Sequence, residues 1–246
     1  FKQLANVDIT AEAMEVGPTT HYTMGGIKVD AESQMSAVPG LFACGECAAG
    51  LHGANRLGGN SLSDLVVFGK RAGEYAARFA TENGHSGIDD SLVEELSRQA
   101  LAPLERESGE QPYAIQAELQ EHMQDLVGIV RREDEMLRAL EIIAGLKERA
   151  DNASVPGNRE YNPGWHTAVD LQSLLTVSQA IALSAMERKE SRGGHFRDDY
   201  PDKDPGHFAK VNVRVRKGAD GNMEVDQLPI PPIPGNLQQI IDTESK

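Results

Sequence analysis

An apolar stretch, a glycine-rich loop and a long apolar helix follow one another in residues 38–80, and no other feature limits the possible folds as strongly. VPGLFACGE (38–46) predicts a strand that is entered through Pro39 and Gly40. SLSDLVVFGKRAGEYAARFA (61–80) predicts a helix that is apolar on most sides at its start, which is typical of a buried helix. Together these elements favour an α/β nucleotide-binding fold.

After this region the sequence predicts a helical domain and a small tail. In residues 91–190 glycine becomes sparse and apolar residues recur at helical spacing, which predicts an α-helical bundle of three or four antiparallel helices. Gly193 follows basic residues and is expected to mark the end of the last helix. Alternating valines at 211–215 and a turn at 218–222 predict a β-hairpin in a small α+β tail. The Pro-rich segment that follows is expected to be extended.

The charge balance and the cysteine content exclude several classes of protein. The chain has 24 Lys and Arg against 38 Asp and Glu, a net charge of −14, which argues against nucleic-acid binding because that needs a basic surface. Its 2 cysteines cannot form a disulfide framework. No uninterrupted apolar run approaches the ~20 residues that span a bilayer. The opening FKQLANVDIT shows no signal peptide and resembles the end of a helix, so we expect a piece of a longer protein.

Residues near the glycine-rich loop are candidates for binding a nucleotide. Glu46 ends the predicted strand directly after Gly45, where a carboxylate can accept hydrogen bonds from ribose or ribityl hydroxyls; a solvated loop glutamate is the equally weighted alternative. Asn60 and Ser61 begin the predicted helix, whose first N–H groups can hold a phosphate or the pyrimidine edge of a reduced flavin. The alternative is a well-capped helix after a flexible loop.

Two further residues are candidates for binding a carboxylate. Arg56 lies in a loop dense with glycine and small residues, and a planar guanidinium binds carboxylates bidentately; a solvated arginine is the alternative. His21 precedes the tight turn at Gly25 and Gly26 and can donate to a carboxylate or transfer a proton. A packed histidine is the commoner outcome for a residue in that position.

Cys44 and Cys47 form a C-x-x-C motif, so redox and metal-binding roles have to be weighed. A zinc site needs two further ligands, and the sequence has no second cysteine pair. A thioredoxin-like pair would lie at a helix N-terminus, whereas Cys44 lies within the predicted strand. We therefore favour two structural cysteines over a redox module. No metal site is expected, because ligand spacing is absent among the scattered His85, His122, His166, His195 and His207.

Three segments resemble the flavoprotein subunit of succinate dehydrogenase or fumarate reductase: HYTMGGIKVD (21–30), VPGLFACGE (38–46) and LHGANRLGGNSLSDLVVFGKRAGEYAA (51–77). The similarity is dense over residues 18–77. It continues more loosely through the helical part to ESRGGHFRDDYPDKDP (190–205), so it covers nearly the whole chain. Ordered motifs of this length rarely match a family by chance.

The resemblance implies FAD as the cofactor and divides the chain into parts of a longer flavoprotein. Residues 1–17 are expected to be the end of a capping domain, and residues 18–90 the C-terminal part of the FAD-binding domain. Residues 91–190 correspond to the helical domain and residues 191–246 to the C-terminal tail with the hairpin. The expected fold is an α/β FAD-binding domain portion followed by an α-helical bundle domain and a small α+β tail.

The resemblance also implies roles for single residues. His21 and Arg56 match residues that bind the dicarboxylate substrate, while Glu46, Ser61 and Leu62 match residues that contact FAD. The family's proton-transferring arginine and its Gly-rich diphosphate loop have no matching motif here and are expected upstream. The chain alone is therefore not expected to catalyse the reaction.

Succinate and fumarate are the implied substrates, with an iron–sulfur subunit, a membrane anchor and, indirectly, a quinone as electron partners. The implied location is peripheral, on the cytoplasmic face of a bacterial inner membrane or the matrix face of a mitochondrial one. One alternative is an L-aspartate oxidase-like FAD enzyme, which shares HGANR (52–56) but usually continues with a different run of small residues. Another is a non-catalytic fragment that docks a partner subunit.

Overall fold

The computed structural model describes residues 1–15, 17, 21–84 and 87–244. The chain divides into two compact units, Phe1–Glu82 and Asn83–Lys246. The first unit contains the candidate binding segments, and the second contains the helical region and the hairpin. Residues 18–20, at the start of the dense similarity, and His85 lie outside the described residues.

The first unit is built mainly from turns and isolated β-bridges. It begins with the short helix α1 (Lys2–Ala5). Its loops are tied together by bridges that join Ile27 to Ala48, Val29 to Ser36 and Met35 to Phe42. The first of these bridges is parallel and the other two are antiparallel, so the backbone folds back on itself twice within a short stretch.

The strand predicted over residues 38–46 is wrong for this chain. In that stretch Phe42 forms a single β-bridge, and Gly45–Cys47 form a 3-10 turn. The N–H of Ala43 donates to the carbonyl of Gln34 at 3.0 Å, so the stretch meets a turn and not a second strand. An apolar run forms a regular strand only where a neighbouring strand supplies hydrogen-bond partners, and the described part of the first unit contains none.

The helix predicted over residues 61–80 is confirmed, but its expected burial is wrong. Helix α2 runs over Asn60–Asn83, and its buried residues are Asp64 and Ala72. Leu62 and Val66 are 69% and 74% exposed. An apolar helix face is buried only where another layer covers it, and the described residues of the first unit include no sheet to do so.

Between residues 90 and 187 the described chain forms four helices, which agrees with the predicted number. They are α3 (Asp90–Glu105), α4 (Pro112–Leu126), α5 (Glu133–Ala150) and α6 (Pro163–Glu187). Local signals set their starts: the Asp89 side chain accepts from the N–H of Ser91, and the Asn162 side chain accepts from the N–H of Trp165. Acidic residues occupy the first turn of α5 and basic residues its last, as the helix dipole favours.

Helix α6 supplies residues to both parts of the helical core. One buried cluster joins α4 and α5 to Leu171 and Leu175 of α6, which have no exposed surface. A second cluster joins Met136 and Ala139 of α5 to Ala182. By length and composition alone α6 would also qualify as a membrane-spanning helix, although no uninterrupted apolar run marks it in the sequence. Its buried residues give that apolar composition a packing explanation.

The last helix of the bundle ends before Gly193, so the expectation that this glycine marks its end is wrong. Helix α6 stops at Glu187, and Arg188 is extended. The Arg188 guanidinium donates to the carbonyls of Phe208 at 3.1 Å and Val211 at 2.8 Å. These contacts stabilise Arg188 outside the helix, whereas Gly193, with a φ of +60°, lies in a later turn.

Two small sheets and a last helix complete the second unit. Strand β1 (Val130–Arg131) pairs in parallel with β2 (Phe196–Arg197). Strands β3 (Val211–Lys217) and β4 (Met223–Pro229) form an antiparallel ladder, which confirms the predicted hairpin. Residues 230–234 have no regular secondary structure, and they lead into helix α7 (Gly235–Glu244), which was not predicted.

Candidate functional site

Two glycines let distant segments of the first unit approach closely. Gly26 has a φ of +146°, and a Cβ at this position would overlap the carbonyl of Cys47. Gly45 has a φ of +70°, and a Cβ there would lie 2.7 Å from a side-chain carbon of Leu65. The N–H of Ile27 donates to the Cys47 carbonyl at 2.8 Å. Only glycine meets both demands, so residues 21–30 lie directly against the turn that carries Glu46.

Glu46 lies in the 3-10 turn and not at the end of a regular strand, as the sequence predicted. Its side chain is exposed, and one carboxylate oxygen accepts a hydrogen bond from the N–H of Thr23 at 2.9 Å. This bond links the HYTMGG segment to the turn across a gap of 23 residues. The arrangement fixes the carboxylate while leaving it accessible to a ligand with hydroxyl donors.

Arg56 is the central residue of the candidate site. Its side chain donates through Nη1 to the hydroxyl of Ser61, and its Cζ lies 4.5 Å from the centroid of the Tyr22 ring. Its Nε is buried and has no hydrogen-bond partner among the described residues. An unpaired buried N–H of a cationic group is costly, so the guanidinium has unmet hydrogen-bonding capacity.

Tyr22 also contacts a histidine, which lies beside a buried carboxylate. The rings of Tyr22 and His52 meet edge to face, with centroids 5.6 Å apart. Nε2 of His52 lies 3.3 Å from a carboxylate oxygen of Asp64, within ion-pair distance but outside hydrogen-bond geometry. Sequence reasoning missed Tyr22, His52 and Asp64. The charged Asp64 inside an apolar helix start was the signal that could have revealed this support.

His21 and Leu62, the remaining residues of the predicted site, are sequence neighbours of Tyr22 and Ser61. His21 is exposed and directly precedes Tyr22 in the chain. Leu62 is exposed in the first turn of α2, and its N–H donates to the carbonyl of Gly59 at 3.1 Å. The direct contacts of Arg56 are thus with Ser61 and Tyr22, whereas His21 and Leu62 are each next in sequence to one of these two residues.

The Tyr22 hydroxyl has a pKa above its ordinary value. Partial burial is the main cause, and the negative charges of Asp64 and Glu46 act in the same direction, while Arg56 opposes them. The hydroxyl is therefore protonated at neutral pH. Tyr22 presents a neutral ring to Arg56, and the contact between them is a cation–π contact.

Both cysteines of the C-x-x-C motif are free thiols. Cys47 is exposed, and its thiol donates to the carbonyl of Cys44 at 3.2 Å. Among the described residues, no group of three or more His, Cys, Asp or Glu side chains is arranged to hold a metal ion.

A second cluster of charged residues lies in the motif at residues 190–205, in the second unit. The carboxylate of Glu190 is fully buried and accepts hydrogen bonds from Arg188, from Arg192 and from the N–H of Asp204, at 2.7 to 2.9 Å. Burial alone would raise the pKa of this carboxyl, but the hydrogen bonds lower it to about 2. Glu190 therefore stays ionised and connects the end of α6 to the loop beyond it.

Arg197 closes the C-terminal end of α6 in the same cluster. It has no exposed surface and donates to the carbonyls of Ala185 and Met186, each at 3.0 Å. Two more of its N–H groups bind the carboxylate of Asp199 at 2.6 and 2.7 Å. The guanidinium thus satisfies carbonyls that have no partner within the helix. Its donors are used inside the fold, which indicates a structural role.

His195 is held in its neutral form in this cluster. Its Nε2 lies 3.0 Å from the carbonyl of Arg188, and its Nδ1 lies 2.9 Å from a guanidinium nitrogen of Arg131. The carbonyl requires a proton on Nε2, and the guanidinium requires a lone pair on Nδ1. Burial lowers the pKa of His195 to about 4, and the charges of Arg131, Arg197 and Arg188 act in the same direction.

Two protein families match the chain. The family described as the FAD binding domain matches residues 2–62, and the family described as the fumarate reductase flavoprotein C-terminal region matches residues 116–239. The fumarate reductase flavoprotein subunit of Haemophilus influenzae is 44% identical over 205 residues, which cover 81% of this chain and 34% of that protein.

Solved structures of related proteins have the same fold. Mycobacterium smegmatis Sdh1 in complex with UQ1 is 45% identical with a TM-score of 0.86, over 99% of this chain and 41% of that one. Quinol fumarate reductase of E. coli is 34% identical with a TM-score of 0.85, over 95% of this chain and 41% of that one. The chain therefore spans between about a third and two fifths of the length of these relatives. Since the C-terminal family pattern extends over half of its length, the chain belongs to the succinate dehydrogenase and fumarate reductase flavoprotein family.

Proposed function

We propose that the chain is the C-terminal part of an FAD-dependent oxidoreductase that interconverts succinate and fumarate. The observation that carries the proposal is the Arg56 guanidinium, which is fixed between Tyr22 and Ser61 while its buried Nε has no partner among the described residues. A planar cationic group with an unused N–H donor is suited to a carboxylate. A dicarboxylate needs a second polar anchor, and the exposed His21 beside Tyr22 is the proposed one.

The residues present also fit FAD. Glu46 has a fixed and exposed carboxylate for the hydroxyls of the cofactor, and Leu62 is an exposed apolar side chain at the start of α2. Ser61 lies in the same turn, so we propose that these three residues contact the cofactor. When bound, FAD supplies the hydride-transfer chemistry. The chain's own part in the reaction is to hold the two carboxylates through Arg56 and His21, while the proton is carried by a residue outside this chain.

The division of the chain and its partners belong to the same proposal. Residues 1–17 would end the capping domain, residues 18–90 would complete the FAD-binding domain, and residues 91–190 and 191–246 would form the helical domain and the tail. An iron–sulfur subunit, a membrane anchor and a quinone are the proposed electron partners, at the cytoplasmic face of a bacterial inner membrane or the mitochondrial matrix face. The related E. coli enzyme is named a quinol fumarate reductase, and this name supports a quinone as the distant partner.

The test uses the full-length flavoprotein and measures dye reduction with succinate and with L-aspartate. We expect turnover with succinate, and a fall of roughly 100-fold or more in kcat/KM for Arg56→Ala with FAD still bound, because charged hydrogen bonds to the substrate are lost. Arg78→Ala is the matched control, since Arg78 also stacks on a tyrosine of the first unit, at 4.8 Å from the ring of Tyr75.

Turnover of L-aspartate alone would move the assignment to an aspartate oxidase-like enzyme. An Arg56→Ala variant with unchanged succinate kinetics would remove Arg56 from the substrate site. A protein that binds an iron–sulfur subunit but reduces no dye with either substrate would favour the docking module.

A further inference from the structure

Helix α2 is linked to Arg56 in two ways, once by a direct contact and once through His52 and Tyr22. Ser61, in the first turn of α2, accepts a hydrogen bond from Nη1 of Arg56. One turn further along, the buried Asp64 lies 3.3 Å from His52, whose ring meets that of Tyr22 edge to face. Tyr22 in turn lies under the guanidinium of Arg56. Both ends of this arrangement therefore rest on one helix.

Such support matters because Arg56 lies in a loop with little structure of its own. Its neighbours Gly53 and Gly58 have positive φ angles of 56° and 45°, and both positions are open enough to accept a Cβ without contact. The loop backbone therefore does not hold the arginine by packing. A free arginine side chain has a large rotamer entropy, and fixing it before the ligand arrives lowers the cost of binding.

The contacts of Arg56 also show which of its donors are already used. The Cζ of Arg56 lies 4.5 Å from the centroid of the Tyr22 ring, and Ser61 occupies Nη1. The Nε atom remains without a partner among the described residues. A contact with an aromatic ring restrains the guanidinium without occupying one of its hydrogen-bond donors.

We infer that Tyr22, held by the His52–Asp64 pair, is a positioning residue that orients Arg56 for a dicarboxylate. This inference rests on the proposed function. Tyr22 acts through its ring, and Asp64 acts by fixing His52 against that ring. The hydroxyl of Tyr22 is not needed for the effect, which separates this role from a proton-transfer role.

The experiment uses the full-length flavoprotein and the non-reacting dicarboxylate malonate, which has no pair of adjacent methylene carbons to be dehydrogenated. Isothermal calorimetry gives the Kd of malonate, and dye-coupled turnover gives kcat and KM for succinate. For Tyr22→Leu we expect the Kd of malonate and the KM to rise roughly tenfold while kcat changes less than about threefold, as loss of a cation–π contact in a partly buried site predicts. Tyr22→Phe keeps the ring and should return both constants to within about threefold of the original values.

Tyr75→Leu is the matched control. Tyr75 also lies in the first unit under an arginine, with the Cζ of Arg78 4.8 Å from its ring, but it is not part of the candidate site. We expect it to leave the Kd of malonate unchanged. An equal rise in Kd for Tyr75→Leu and Tyr22→Leu would mean general loosening and would overturn the inference.

The isosteric Asp64→Asn tests the same arrangement without altering the ring. We expect a rise in the Kd of malonate of about threefold or more, because His52 loses its charged neighbour. An unchanged Kd in Asp64→Asn overturns the inference even if Tyr22→Leu fails to fold. If the unaltered flavoprotein neither binds malonate nor oxidises succinate, the proposed function fails. If it does both while Tyr22→Leu binds malonate normally, only the positioning role fails.

Discussion

The two compact units of the chain differ in where their apolar residues lie. In the second unit, large side chains such as Ile115, Leu171 and Leu175 have no exposed surface, and they form two packed clusters. In the described residues of the first unit, the buried hydrophobic side chains are those of Ala43 and Ala72, while Leu62 and Val66 are mostly exposed. The second unit therefore carries its own core, and the described part of the first unit does not.

This difference separates the stabilising part of the chain from the part with the candidate site. Helices of the second unit bury complete faces against one another, which is the main source of stability in a helical domain. The first unit is held by close backbone approaches at glycines and by polar contacts around Arg56. Since the chain spans about two fifths of its relatives' length, we propose that the rest of the flavoprotein covers the apolar start of α2.

The largest loss of stability is expected from a substitution in the helical core. Leu171→Ala removes a side chain with no exposed surface from the centre of α6 and should lower the free energy of unfolding by about 3–4 kcal/mol. Urea unfolding of the second unit, followed by circular dichroism, measures this change. Leu174→Ala is the control, because Leu174 lies on the same helix but is 38% exposed. Equal losses for the two variants would contradict the assigned core.

Acid should destabilise the second unit in two stages. The folded pKa of His195, about 4, is below its ordinary value of 6.5, so its stabilising contribution is complete above pH 6.5 and is lost as the pH falls towards 4. We expect a loss of about 2–3 kcal/mol over this range after allowance for solvent screening. Glu190, with a folded pKa of about 2, adds a further loss as the pH falls from 4.5 towards 2.

Urea midpoints measured against pH test both stages. His195→Gln removes the titrating group while keeping a donor and an acceptor, so it should flatten the change between pH 6.5 and 4. It should leave the change below pH 4 in place. If the urea midpoints of His195→Gln change with pH as those of the original chain do, the loss of stability between pH 6.5 and 4 belongs to another group.

An intermediate loss of stability is expected from a substitution at the start of α6. Asn162→Ala removes the acceptor for the N–H of Trp165 and two donations from the Asn162 amide to the carbonyls of Pro156 and Asn158. The expected loss is about 1 kcal/mol or somewhat more. Asn162→Asp keeps the helix cap and should recover part of this loss in the same urea titration. A variant as stable as the original chain would show that the cap contributes nothing.

The smallest effect is expected at the exposed start of α2. Val66→Ala should change the stability of this chain by less than about 0.5 kcal/mol, because Val66 is 74% exposed. The same substitution in the full-length flavoprotein should cost about 1–2 kcal/mol if another part of that protein covers the residue. Thermal unfolding of both proteins gives the comparison. Equal, small effects would show that the start of α2 stays exposed in the longer protein.

Much of the second unit could be predicted from the sequence. The helices around Met136 and Leu171 follow from apolar residues at helical spacing, and the hairpin follows from the alternation of residues 211–215 with a turn after it. The end of α6 was misplaced at Gly193, since Arg188 leaves the helix to bind carbonyls of a distant segment. Helix α7 was missed because the prolines before it favour extended chain.

The candidate site was predicted only at its motif residues. Arg56 and Glu46 were marked by glycine-rich surroundings, but the strand expected before Glu46 depended on a neighbouring strand that the described first unit does not contain. Tyr22, His52 and Asp64 were missed because none of them carries a pattern that points to Arg56. Their contacts join segments that are far apart in the sequence.

By itself the sequence determined the bundle helices of the second unit, the hairpin, the family and the residues proposed to meet the substrate and the cofactor. These features depend on near neighbours or on ordered motifs, and both can be read directly from a chain. Only the tertiary structure decided that Tyr22 lies under Arg56, that Asp64 lies 3.3 Å from His52 and that the Nε of Arg56 is buried without a partner in the described chain. The physical reason is that burial and pairing depend on which distant segments the backbone brings together, and here glycines at 26 and 45 permit that approach.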